Sequence, residues 1–288
     1  MISLITFLLP LFFTFNIIPM QDQSKKTLTA GEVVERIKTN VNCNWRKETV
    51  DTYKSGNAQS EITGIATTFM ATLKVLKEAK IQGCNMIITH EPTFYNHLDD
   101  KNPLKNDPVQ LAKLRFIEEN NMVVFRFHDH WHETQPDGIY LGVIDAFGWK
   151  HYQQGEEPIF KIPTTNVSKL AKDIADKFKT NTVRVVGDPT MKVTTVGMVL
   201  GAAGSNSQIA MLNEKEIEVA IVGESREWET VEYVRDANEL GMSKALIVMG
   251  HADSEEAGMV YCAEWLKGFV KEVPVKFIAA GNPLWGVE

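Results

Sequence analysis

Residues 61–90 read EITGIATTFMATLKVLKEAKIQGCNMIITH, and the rhythm of this stretch decides the fold. Positions 61–69 are rich in the β-branched and aromatic residues that favour a strand. Positions 71–79 change period: Leu73, Val75, Leu76 and Ala79 recur on one face of a helix. Gly83 closes that helix, because glycine adopts the left-handed conformation past a helix end without strain. Positions 84–89 form a second, largely apolar strand, as expected where both faces of a sheet are covered. Strand, helix and strand in this order predict a βαβ unit and a parallel sheet.

The rhythm recurs along the chain. Residues 108–120 predict a helix with Pro108 at its start, and residues 122–127 a strand running into His128-Asp-His-Trp-His132. Residues 230–240 predict a helix closed by Gly241, and residues 245–249 a strand ending in Gly250-His251. A helix at 257–269 and a strand at 273–279 follow. A short amphipathic helix is read at 30–40, while 43–60 is polar and turn-rich. The middle differs, with a helix at 166–178 capped by Thr164 or Thr165 and strands at 183–186, 193–200 and 219–222. The expected fold class is α/β: two linked α/β domains, the second inserted in the first. Residues 29–150 and 225–288 would make the first domain, with a mostly parallel sheet, and residues 151–224 the insert.

The chain has 288 residues, of which 44% are hydrophobic, enough for a sizeable core. Its net charge of -7 argues against a nucleic-acid partner, which usually calls for a basic surface. The three cysteines form no CxxC pair, and Cys84 and Cys262 read as small buried hydrophobes. Residues 2–20, ISLITFLLPLFFTFNIIPM, carry no charge and precede a polar stretch. Such a run resembles the core of an export signal, and its length is close to that of a bilayer span. The expectation is an exported protein, periplasmic or secreted, with residues 1–20 a signal peptide or else a membrane anchor.

Six of the seven histidines occur in three clusters, each after an apolar strand. Open parallel sheets bind ligands beyond the carboxyl ends of their strands. Three neighbouring strands would then aim His90 and Glu91, the 128–132 cluster, and His251 with Glu255 at one point. Imidazole and carboxylate together suit zinc, iron or manganese. If the strand continues through 128–132, His128, His130 and His132 share one face and Asp129 lies opposite. Asp253 as a helix N-cap with Glu256 three residues on would make a capping box, leaving His251 and Glu255 for chemistry. The 201–205 stretch GAAGS could cradle an anion, but a tight turn is the better reading.

These motifs resemble the Nif-three-like dinuclear metal centre family, also labelled GTP cyclohydrolase I type 2-like. IITHEPTFY is similar to its HHP…F signature, GHADSEEAG to GH…E…G, and VVFRFHDHWH…DG to HTNLD…G. VGMVLGAAGS, IVGES and GNPLW resemble its GSG turn, TGE turn and NP ending. The resemblance covers roughly residues 30–285. It implies two linked α/β domains, a hexamer, and a site holding two divalent metal ions. The family's first histidine matches His90 and its last two ligands match His251 and Glu255. Its second histidine matches Glu91 and its aspartate matches His132, two departures that keep the ligand count and formal charge. Trp228 stands where many members carry a histidine, and residues 45–57 keep little of an early family stretch.

The expected metal ligands are therefore His90, Glu91, His132, His251 and Glu255, with Glu255 as a bridge and Asp129 or His128 as general acid or base. The expected function is a metal-dependent hydrolase, a metal-activated hydroxide attacking an unknown small, nucleotide-like substrate. The alternative is a non-catalytic metal-binding or assembly protein.

Overall fold

The computed structural model describes residues 27–214 and 216–287. The chain opens with α1 (Ala30–Asn40), β1 (Tyr53–Ser55), β2 (Ile65–Met70), α2 (Leu73–Ile81) and β3 (Met86–Glu91). Then come α3 (Pro108–Glu119), β4 (Val123–Arg126), α4 (Asp129–Glu133) and α5 (Gly138–Phe147). The next segment supplies β5 (Ile159–Asn166), α6 (Val167–Phe178), β6 (Arg184–Val186), β7 (Lys192–Val199), α7 (Ser205–Asn213), β8 (Val219–Val222), α8 (Glu232–Glu239) and β9 (Ala245–Val248). The chain ends with α9 (His251–Lys267) and β10 (Val275–Phe277).

These strands make two five-stranded sheets, in the orders β1-β4-β3-β2-β10 and β5-β7-β8-β9-β6. In the first, only β1 is antiparallel to its neighbour. In the second, β7, β8 and β9 run parallel and both outer strands antiparallel. Because β10 returns to the first sheet, the second is inserted within the first, as the α/β reading expects. The placement of one strand is corrected. The strand at 245–249 does not lie beside β3 but between β8 and β6. Both sheets need short apolar parallel strands, so hydrophobic pattern alone does not assign a strand to one of them.

Alternation explains why β2, β3 and β4 are apolar on both sides. Ala66, Ile87 and Val124 pack with Val75, Leu76 and Ala79 of α2 and Ile117 of α3. Ile65, Ile88 and Phe125 face the other way, toward Val33 and Ile37 of α1 and Met259 and Leu266 of α9. Each such fully buried aliphatic side chain contributes about 1.5–3 kcal/mol. The same cluster continues into Val196, Ile221 and Ile247 of the second sheet, so one core spans both. Cys84 and Cys262 are buried free thiols, as expected. The cap of α6 is Asn166, whose side chain accepts from Lys169 N, rather than either threonine before it. Among the described residues no helix is long and apolar enough to cross a membrane. The export or anchor segment, residues 1–20, lies outside the described residues.

Candidate metal centre

The site lies where the carboxyl ends of β3, β4 and β9 meet. His90 and Glu91 occupy the last two positions of β3, both buried. Past β4 the chain does not stay extended. Asp51 Oδ1 accepts from the backbone N–H groups of His128 and Asp129 (2.6 and 3.0 Å), and Oδ2 from that of His130 (2.9 Å). This buried carboxylate satisfies the free N–H groups of a helix start, so α4 forms there. The expected shared face of His128, His130 and His132 is therefore corrected. Helical spacing puts His128 and His132 on one side and turns His130 away.

The third contribution depends on two glycines. Gly250, at φ 102°, ends β9 and lets α9 begin at His251. His251 and Glu255 then fall four residues apart on one helical face. The capping-box reading is corrected, since α9 begins before Asp253. Asp253 instead accepts from Asn282 Nδ2 (2.8 Å), and Glu256 from Ala280 N and Gly281 N (2.7 and 3.0 Å). Gly201, at φ 61°, makes room for the Glu255 carboxylate, because a Cβ there would lie 1.9 Å from Oε1. The 201–204 stretch is thus a turn around a side chain.

Each imidazole of the cluster is held from behind at Nδ1. His90 Nδ1–H donates to Phe127 O (3.3 Å), His128 to Asp129 Oδ1 (2.9 Å), His132 to Asp137 Oδ2 (2.8 Å) and His251 to Glu224 Oε1 (2.9 Å). Such contacts select the Nδ1–H tautomer and aim Nε2 inward, as around protein-bound metals. Inside, Glu255 Oε2 is 3.4 Å from His90 Nε2 and 3.0 Å from His251 Nε2, and Oε1 is 3.9 Å from His132 Nε2. Glu91 Oε1 lies 3.6 Å from His128 Nε2 and 3.5 Å from His251 Nε2. Candidate ligand atoms fall within 4.8 Å of one another in two groups, His90/His128/His132 and His90/Glu91/Glu255.

The electrostatics describe a site short of positive charge. Burial pushes the Glu91 carboxyl up, but the His251 hydrogen bond and nearby imidazoles outweigh it and bring it down to about 2. Burial also raises Glu255, and the His251 hydrogen bond together with the nearby His90 imidazole then holds it well below the usual carboxylate range. His251 is lowered by burial yet lifted to about 11 by Glu255 and Glu91, so it keeps its proton between those two carboxylates. His128 is brought down to about 4 by burial and by His90, leaving it neutral. His132 is lowered by burial and raised more by Asp137, for a net upward shift.

Those donors suit a divalent ion of the zinc, iron or manganese kind. One atom tests the fit. His90 Nε2 is buried and lacks a hydrogen-bond partner among the described residues. Leaving a buried polar atom unmatched costs about 1–3 kcal/mol, a cost that a metal ion would remove.

Of the residues singled out from sequence, His90, Glu91, His128, His132, His251 and Glu255 come together. Asp129 does not reach the cluster. Its Oδ2 accepts from Thr49 Oγ1 (2.8 Å) and Val50 N (3.1 Å) and pairs with Arg46 (3.2 Å), while Oδ1 holds His128. Its expected acid–base role is corrected to orienting an imidazole. His97 stays outside, its ring centroid 6.3 Å from that of His128. Sequence reasoning missed Asp51, Asp137 and Glu224. Glu224 and Asp137 stand within the quoted IVGES and DG segments, whereas Asp51 sits in a polar stretch with no distinguishing pattern.

A mixed α/β architecture of two sheets with histidines and carboxylates clustered at strand ends defines an α/β protein with a candidate metal site. Residues 26–283 match the family model Duf34/NIF3 (NGG1p interacting factor 3), and the chain belongs to that family. It is 24% identical over 234 residues to the GTP cyclohydrolase 1 type 2 homolog of Clostridium acetobutylicum, covering 76% of this chain and 82% of that protein. The homolog of the same name from Clostridium perfringens is 21% identical over 225 residues, covering 74% and 80%. The fold is similar to that of a Bacillus cereus protein related to NIF3, with TM-score 0.71, 14% identity, and 91% and 100% of the two chains covered. A Staphylococcus aureus protein superposes with TM-score 0.65 and 16% identity, over 90% and 99%.

Proposed function

We propose that this cluster holds two divalent ions and that the protein is a metal-dependent hydrolase of a small substrate. The observation that carries the reading is His90 Nε2, a buried lone pair without a partner among the described residues, beside two carboxylates. His90, Glu91, His132, His251 and Glu255 would hold the ions, with Glu255 shared between them. Divalent ions supply Lewis-acid polarisation and a water of lowered pKa.

The chain's own residues do the rest. Phe127 O, Asp137 and Glu224 fix three imidazoles with Nε2 inward. His128, held at Nδ1 by Asp129, keeps Nε2 to take or return a proton at the reacting centre. A cavity of about 1110 Å³ opens beside His251, and its lining includes the apolar Phe69, Met70 and Trp285 and the basic Lys74 and Arg184. Such a mixed lining suits a small molecule with an apolar ring and an anionic group, the nucleotide-like class.

The test combines metal analysis with a panel of phosphoesters and nucleotides, for wild type and His251→Ala. The reading expects two ions per chain and metal-dependent hydrolysis, both reduced in the variant. Well under one ion in wild type, unchanged by the substitution, would overturn it.

A further inference from the structure

The carboxylate at position 91 brings a charge into the protein interior, and one side chain behind it offsets that charge. Arg126, the last residue of β4, is fully buried. Its guanidinium spans the end of β3 and the loop after it. Nε donates to His90 O (3.1 Å), Nη1 to His97 O (2.5 Å) and Nη2 to Glu91 Oε2 (3.5 Å). Asp99 Oδ2 lies 3.7 Å from Nη1 and is also paired with Lys54 (3.4 Å). Asp99 Oδ1 in turn accepts from Thr93 N and Phe94 N (2.6 and 2.8 Å), which ties down the loop.

The consequence falls on the two oxygens of Glu91. Oε2 faces the guanidinium, while Oε1 faces His128 and His251. A planar guanidinium fixed by other acceptors presents its donor in one direction only. The carboxylate therefore cannot rotate to offer both oxygens to the cluster without abandoning the buried cation.

We propose that Arg126 is a positioning residue that makes Glu91 a one-oxygen metal ligand and balances its charge. The proposal rests on the two-ion reading above. It assigns Arg126 no contact with an ion or a substrate. Outer partners of metal ligands commonly change metal affinity about 10–100-fold when removed.

The test is a double-substitution cycle on ion affinity, with manganese or cobalt as the probe and a competing chelator. Arg126→Met and Glu91→Ala should each weaken one of the two ions by about 10–100-fold. The double variant should bind no more weakly than Glu91→Ala alone, because Arg126 acts through Glu91. Arg126→Lys, which keeps the charge without the fork, should fall between wild type and Arg126→Met. The visible spectrum of the cobalt-loaded protein should shift in Arg126→Met as Oε2 is released. If Arg126→Met does not fold, Arg126→Lys with and without Glu91→Ala completes the same cycle. Unchanged affinity in the arginine variants, or losses that multiply in the double, would overturn the proposal. Wild type binding no ions at all would instead overturn the two-ion reading.

Discussion

The two sides of α4 hold histidines in opposite states. His130, fully buried, donates from Nδ1 to Asp51 Oδ2 (2.6 Å), accepts at Nε2 from Arg46 N (2.8 Å) and stacks on Trp45 with centroids 3.8 Å apart. Both of its nitrogens are used. His128 and His132, one turn apart on the other side, are anchored at Nδ1 alone, and their Nε2 atoms face Glu91 and Glu255. Burial does not separate a structural histidine from a candidate ligand here, since His90 and His130 are equally buried. What separates them is whether the second nitrogen is already matched.

The largest break of this comparison is Glu255→Gln. Losing the shared carboxylate should reduce bound metal from two ions to fewer than one per chain, as read by elemental analysis. Added metal should raise the Tm of wild type, since an ion bound only to the folded state stabilises it, and Glu255→Gln should abolish that rise. Retention of two ions would remove Glu255 from the ligand set.

His130→Ala should do the reverse. Ion content should stay at the wild-type level, while the metal-free protein loses about 2–3 kcal/mol, mainly from leaving Arg46 N unmatched and removing one of the four hydrogen bonds to Asp51. Denaturant unfolding without metal gives the stability. Loss of ions with unchanged stability would reverse the assignment of the two sides.

His128→Asn sharpens the comparison within one side. If His128 moves a proton rather than binding an ion, the variant keeps its ions and loses about 10²–10⁴-fold in kcat. Ion loss matching that of His132→Ala would make His128 a ligand.

A smaller effect follows from pH. In the metal-free protein His251 is raised to about 11, so it carries its proton throughout the neutral range. An ion must displace that proton, and the ion competes better as pH rises. Affinity should therefore increase about tenfold per pH unit for each proton released. Chelator competition at several pH values between 6 and 9 reads the slope, and a flat profile would contradict it.

Much of this was legible in the sequence, and the gaps have physical causes. The βαβ unit at 61–90 was readable because its period switches from strand to helix and back within one short stretch. His90, Glu91, His251 and Glu255 were readable because each follows an apolar strand. The helical turn at 128–132 was not, since its N–H groups are satisfied by Asp51, about 80 residues earlier in the chain. The start of α9 was misplaced because Gly250 supplies a left-handed bend in place of a side-chain cap. The placement of β9 depends on pairing, which a short apolar run does not encode. Asp129 reads as an acid–base candidate from its place in the 128–132 cluster, and only the partners on both its oxygens show that it faces away.

The most direct measurement is anomalous diffraction from crystals of the protein loaded with zinc or manganese. The account predicts two peaks, one of them about 2.0–2.2 Å from His90 Nε2 and both within bonding reach of Glu255. It also predicts no peak at either nitrogen of His130. A peak bound to His130, or none at His90 Nε2, would contradict it.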